Sequence, residues 1–191
     1  MAAAKKALVI LAPGAEEMET VISVDVLRRA KIDVTLAGLD GNEPVECSRS
    51  VKIVPDVSLD EAVEKRGPFD VVLLPGGLGG AGRLSDSPKV KEILQKQEAD
   101  GQFIAAVCAA PTALVSYGVG VGKTITSHPV VKEKIIKNGS YSYSEARVCR
   151  DNTIITSRGP GTCFEFALTI VEALCGEKTV KEIADPMFVK I

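Results

Sequence analysis

Three short, almost wholly apolar runs punctuate this chain: residues 7–12 (ALVILA), 70–74 (DVVLL) and 103–107 (FIAAV). A strand that is apolar at nearly every position must be buried on both faces, and that happens in parallel sheets covered by helices on each side. The segments between them carry the matching helical signals. Residues 15–31 open with Glu16, Glu17 and Glu19, acidic groups placed where they complement a helix dipole, and residues 34–38 read as the next strand. Residues 45–47 and 51–54 form a short hairpin, and residues 58–65 a helix opened by a serine cap. Residues 88–100 and 111–117 read as helices, 124–126 as a strand and 131–137 as a helix. Residues 147–149 and 153–157 are strands joined across Asp151-Asn152, a turn dipeptide. Residues 161–175 form a helix with Phe164, Ala167, Leu168, Val171 and Leu174 at core spacing, and residues 180–184 a last short one. The alternation specifies an α/β fold, a mostly parallel central sheet with helices on both faces, over a single domain, residues 1–191.

Composition narrows the function classes. Apolar residues at 46% against 25% charged suit a folded globular domain. A net charge of −2, with no cluster of lysine or arginine, gives no electrostatic basis for nucleic acid binding. No stretch approaches the roughly 18 apolar residues of a membrane span. Residues 1–6 lead straight into the first strand without a secretory signal, and residues 1–12 lack the arginines of a mitochondrial presequence. The five cysteines, Cys47, Cys108, Cys149, Cys163 and Cys175, are odd in number and widely spaced. They read as reduced thiols in a cytoplasmic-type compartment.

In a parallel sheet of this kind, ligands bind beyond the carboxyl ends of the strands. The loops at residues 13–19, 75–82 and 108–111 lie there. Cys108 stands between an apolar strand and a helix start, with alanines at 105, 106, 109 and 110, the small neighbours a strand-nucleophile-helix turn needs. The helix N-terminus there would favour thiolate; alternatively, Cys108 is one more buried small hydrophobe. Gly76 and Gly77 follow the second run, where they act as a turn or expose backbone N–H donors; with the N–H of Ala109 they could form an oxyanion hole. Glu19 is either a solvated dipole partner or a carboxyl buried beside Cys108, its pKa raised by desolvation. His128 is the single histidine, so any Cys–His chemistry passes through it. No Cys/His/Asp spacing resembles a zinc site, and no phosphate-loop or dinucleotide motif is present, so neither metal nor cofactor is expected. Arg49, and Arg158 in the run before Pro160 and Gly161, are available to bind an anion or to tie loops or subunits together.

Taken together, residues 12–19 (APGAEEME), 74–77 (LPGG), 107–112 (VCAAPT), His128-Pro129 and 156–166 (TSRGPGTCFEF) resemble the ThiJ/PfpI superfamily, and within it the Parkinson-disease-associated protein deglycase group. The resemblance implies a flavodoxin-like sandwich that forms a homodimer in cytoplasm, nucleus and mitochondrion. It implies that Cys108 is the reactive cysteine, Glu19 its protonated partner and His128 a histidine near the site. Gly77 and Ala109 would donate backbone hydrogen bonds, with Arg49, Arg158, Gly76 and Pro160 lining the pocket or interface. Two activities follow: glutathione-independent conversion of small dicarbonyls such as methylglyoxal, with repair of their adducts, or sensing by oxidation of Cys108 to the sulfinate, Cys47 being a minor oxidation site. A redox-regulated chaperone is the non-enzymatic alternative, and a peptidase fits least, because His128 does not directly follow the nucleophile. Two positions depart from the pattern: Ala110 replaces a glycine, and Val54 replaces a cysteine.

Overall fold

The computed structural model describes residues 4–190. In chain order the strands are β1 (Lys6–Leu11), β2 (Asp33–Gly38), β3 (Val45–Glu46), β4 (Lys52–Ile53), β5 (Val57–Ser58), β6 (Val71–Leu74), β7 (Phe103–Val107), β8 (Thr124–Ile125), β9 (Ser142–Tyr143), β10 (Val148–Asp151) and β11 (Ile154–Ser157). The helices are α1 (Glu17–Arg29), α2 (Leu59–Lys65), α3 (Leu78–Asp86), α4 (Pro88–Ala99), α5 (Pro111–Tyr117), α6 (Lys132–Ile136), α7 (Cys163–Cys175) and α8 (Glu177–Ala184).

Seven strands make the central sheet in the order β10-β11-β7-β6-β1-β2-β5, parallel except for the β10–β11 pair. Alternate residues of the central strands feed two cores. Val9, Leu11, Leu73 and Val107 pack with α1, α7 and α8 on one face, and Leu8, Ile10, Leu74 and Ile104 pack with α2, α4 and α5 on the other. Each fully buried leucine or isoleucine contributes roughly 2 kcal/mol, so the apolar runs both define the sheet and hold its two layers. The chain leaves β1 towards β2 on one side and returns through β6 on the other. The crevice where the order reverses, beyond Leu11 and Leu74, is where such sheets build their sites.

Three sequence expectations are corrected. Residues 75–82 are not simply a loop: α3 begins at Leu78 despite three glycines, because it packs on α5 and on the turn after β1. Phe164 is exposed, whereas Cys163, Phe166, Ala167, Ile170 and Val171 are buried. Those five recur at helical spacing, and Phe164 lies off their stripe. Residues 161–162 belong to a 3-10 turn, Pro160–Thr162, that precedes α7. Three elements escape the sequence pattern or shift: β5 and β9 are only two residues long, and α8 starts at Glu177.

Candidate active site

Cys108 follows β7 directly with φ +62°, a left-handed conformation that costs an L-residue roughly 1–2 kcal/mol. Hydrogen bonds on both sides hold it there. Its N–H donates to the Ser157 carbonyl at 2.9 Å, and its carbonyl accepts the His128 N–H at 2.8 Å. Ala110 N–H closes the turn onto the Val107 carbonyl at 3.0 Å, and Pro111 starts α5. The result is a nucleophile elbow that presents a half-buried thiol at the carboxyl edge of the sheet.

Glu19 approaches from α1. Glu16 caps that helix, its carboxylate accepting the Glu19 N–H at 2.9 Å, which fixes the first turn. The Glu19 side chain is fully buried, and its Oε2 accepts the Gly76 N–H at 2.7 Å. Its Oε1 is buried without a hydrogen-bond partner. Burial raises its pKa to about 7, opposed by the Gly76 N–H bond and by the neighbouring Cys108 thiol; the Glu16 charge adds to the rise.

Burial is also the main cause that pushes the Cys108 thiol up, to about 12, and the Glu19 charge is the next. The backbone N–H groups of Gly77 and Ala109 point at the sulfur and pull the other way. Burial and the Glu19 charge thus work against the helix N-terminus, which is expected to favour thiolate. A protonated Glu19 removes the repelling charge and turns the carboxyl into a donor, so the two groups act as one coupled pair that holds a single negative charge.

Gly76 is what allows the approach. A Cβ there would lie 2.6 Å from Cys108 Cβ, 2.7 Å from Glu19 Oε2 and 2.8 Å from the Val107 carbonyl oxygen. Gly77 has φ +80°, and a Cβ on it would lie 2.4 Å from the Gly14 carbonyl oxygen.

The remaining residues fall outside this pair. His128 is half-buried, its Nδ1 accepts the Val130 N–H at 3.2 Å, and no hydrogen bond among the described residues joins its imidazole to Cys108 or Glu19. The Gly159-Pro160 turn lies against it, with the Gly159 Cβ direction 3.7 Å from His128 Cδ2. Arg158 Nη1 is taken by Glu145, at 2.8 Å from its carbonyl and 2.6 Å from its carboxylate. Arg49 is exposed and bonds the Ser48 carbonyl, while its N–H donates to Glu17. Cys47 is buried, and burial followed by the charges of Glu17 and Glu16 pushes its thiol up to about 11. All five cysteines are free, and no cluster of metal-ligating side chains occurs among the described residues. Sequence reading placed Glu16 only as a dipole partner and missed that it caps α1, for which its position three residues before Glu19 was the available signal. It also missed Ala81 and Val131, which pack against Cys108 from distant segments and carry no local signal.

A mostly parallel sandwich presenting a cysteine at a strand-to-helix elbow, against a buried carboxylic acid, defines a flavodoxin-like cysteine protein. The DJ-1/PfpI family model matches residues 5–173, and the chain belongs to that family. It is 60% identical over 188 residues to the zebrafish Parkinson disease protein 7 homolog, covering 98% of this chain and 99% of the relative. Over 188 residues it is 42% identical to the Caenorhabditis elegans glutathione-independent glyoxalase DJR-1.2, covering 98% of each. The crystal structure of Drosophila melanogaster DJ-1beta superposes with a TM-score of 0.95 at 52% identity, covering 99% of this chain and 100% of that one.

Proposed function

We propose that this protein guards against reactive carbonyl and oxidative stress as a glutathione-independent glyoxalase, with Cys108 as nucleophile and Glu19 as acid and base. The observation that carries the reading is Glu19: fully buried, fixed by Gly76 N–H, and with a second oxygen left unpartnered in contact range of Cys108 chemistry. An acid with pKa about 7 both gives and takes protons at neutral pH. The worm relative's name supports the same reaction class.

In the proposed reaction the Cys108 sulfur adds to the aldehyde carbon of a dicarbonyl such as methylglyoxal. The C–S bond forms as the C=O pair moves to oxygen, which takes the Glu19 proton. The freed carboxylate then carries the carbon-bound proton to the neighbouring carbon while the hydroxyl proton passes to the neighbouring oxygen, leaving a thioester of a 2-hydroxy acid. Water hydrolyses the thioester and restores the thiol, so the net change is dicarbonyl plus water to hydroxy acid. Adducts of the same carbonyls on amines are substrates of the deglycase variant of this reading. His128 holds the elbow through its backbone; the proton work falls to Glu19.

The unpartnered Glu19 Oε1 also favours a sensing role at the same sulfur. Two equivalents of peroxide would take the Cys108 thiolate through sulfenate to sulfinate, each releasing water, and the protonated carboxyl would donate to a sulfinate oxygen.

The test is conversion of methylglyoxal to lactate by fully reduced protein without glutathione, beside Cys108→Ser, with intact mass recorded after peroxide treatment. Turnover lost in the variant is expected, as is a gain of two oxygens on Cys108 that Glu19→Gln diminishes. No turnover by the reduced wild type would sink the glyoxalase reading; equal sulfinate in Glu19→Gln would sink the stabilising role of that carboxyl.

We also propose a homodimer. Met18 and Val21 on α1 and Val51 and Val54 around β4 are about half or more exposed, a large apolar set for one surface. Glu17 ties the two elements together by accepting the Ser48 hydroxyl and the Arg49 N–H, both at 2.8 Å.

A further inference from the structure

A groove of about 310 Å³ runs between α3, α5 and α6 beside the elbow. Cys108 packs against a small cluster of Ala81, Ala109 and Val131, and all three also line this groove. Ala109 is the residue after the nucleophile, and Val131 belongs to the turn that starts at His128, whose carbonyl accepts the Val131 N–H at 3.1 Å. The groove thus borders, along α3 and α5, the same three residues that touch the thiol. Leu78, 66% exposed, lines it as well, leaving a large apolar side chain in solvent at the start of α3.

Its polar lining is Ser85, Asp86, Thr112, Ser116 and Lys134, and two of these side chains already have partners. Ser85 Oγ donates to the Ala81 carbonyl and Thr112 Oγ1 to the Ala109 carbonyl, each at 2.7 Å, and the two hydroxyls lie 3.3 Å apart. On the wall shared with the thiol a ligand meets the apolar Ala81, Ala109 and Val131, and there apolar surface is rewarded over new hydrogen bonds. A volume near 310 Å³ is far larger than a methyl group fills.

We propose that this groove is a substrate subsite for the substituent on the dicarbonyl, and that it selects bulky apolar or aromatic groups, as in phenylglyoxal, over methyl. The inference rests on the glyoxalase reading for its reaction, but the groove can be probed without turnover. Gly82 lines the groove on α3, and a Cβ added there meets nothing within 4 Å. Gly82→Leu therefore fills the groove without backbone strain and suits a helix better than glycine. Ser116→Leu fills it from α5.

The experiment compares kcat/KM for phenylglyoxal and methylglyoxal in the wild type and both variants. In a parallel assay each carbonyl protects Cys108 from iodoacetamide. The expected result is a wild-type preference for phenylglyoxal of about tenfold or more, which either variant erases while methylglyoxal stays within about twofold; a few methylene contacts are worth that much. Equal losses for both substrates, or no change for either, would overturn the subsite. If reduced wild type turns over neither carbonyl, the glyoxalase reading fails on its own, and protection decides the subsite: protection at lower phenylglyoxal concentration, lost in Gly82→Leu, upholds it, and equal protection overturns it.

Discussion

Replacing Glu19 by glutamine keeps an acceptor for the Gly76 N–H but removes a buried ionisable group from the elbow. In the wild type that carboxyl titrates at about 7 in the folded protein, against 4.5 as its ordinary value. The folded state therefore binds more protons than the unfolded state between those values, so stability falls as pH rises through the window. The advantage is fully present below pH 4.5 and gone once pH has passed about 7. An interval of about 2.5 pH units at about 1.4 kcal/mol each amounts to about 3.5 kcal/mol. The same loss follows if the first proton leaves Cys108 instead, since either route puts one negative charge into the buried pair. Glu19→Gln lacks this term. Urea denaturation at fixed protein concentration from pH 5 to pH 8, a window that misses the part lost below pH 5, should therefore show the variant gaining about 2.5 kcal/mol on the wild type, with unchanged slopes. Taking the difference between the two proteins cancels the titrating groups outside the pair. A difference that stays flat across that range would refute the reasoning, because it would mean that Glu19 ionises with its ordinary affinity and is no proton donor at neutral pH.

Gly76→Ala adds a Cβ inside contact distance of Cys108, Glu19 and the Val107 carbonyl. It should destabilise the protein by roughly 1–3 kcal/mol and lower methylglyoxal turnover by about tenfold or more by displacing the pair, as urea melts and rate measurements would show; near-wild-type behaviour in both would mean the three loops give way easily. Sedimentation should find a dimer that Met18→Asp with Val51→Asp converts to monomer, and a monomeric wild type at micromolar concentration would remove the dimer proposal.

The sheet was legible because its central strands are buried on both faces and so are apolar at successive positions. Residues 103–107 were read with the observed ends, and the apolar runs before them fell within about a residue. Strands β5 and β9 were not, since Val57-Ser58 and Ser142-Tyr143 each pair one apolar or aromatic residue with a serine and form no β-prone run. Helix α3 was hidden by its glycines, which serve packing: a Cβ on Gly80 would lie 2.7 Å from Ala15 Cα. In the site, the elbow and the side of the sheet were legible, because small residues around Cys108 and acids after β1 are local signals. What each polar group bonds was not. Arg158 looked free for an anion, yet Glu145, distant in sequence order, takes it. His128 looked like a partner for the thiol, yet its imidazole bonds its own turn.

The pair of glycines after β6 shows why weak motifs become informative together. Each of the two is required by a different neighbour: Gly76 by the Cys108 and Glu19 side chains, Gly77 by its positive φ and by the backbone of the turn after β1. Gly14, in that turn, has φ +79°, and a Cβ on it would lie 3.2 Å from Gly79 Cα. Three chain segments thus meet at the strand-order reversal with backbone nearly touching backbone, and Glu16 N–H donates to the Gly76 carbonyl at 3.1 Å to hold them. That crowding is what excludes water from Glu19 and raises its pKa. The glycines therefore act on the chemistry at a distance of one hydrogen bond, by letting the protein close around an acid that would otherwise be solvated and ionised.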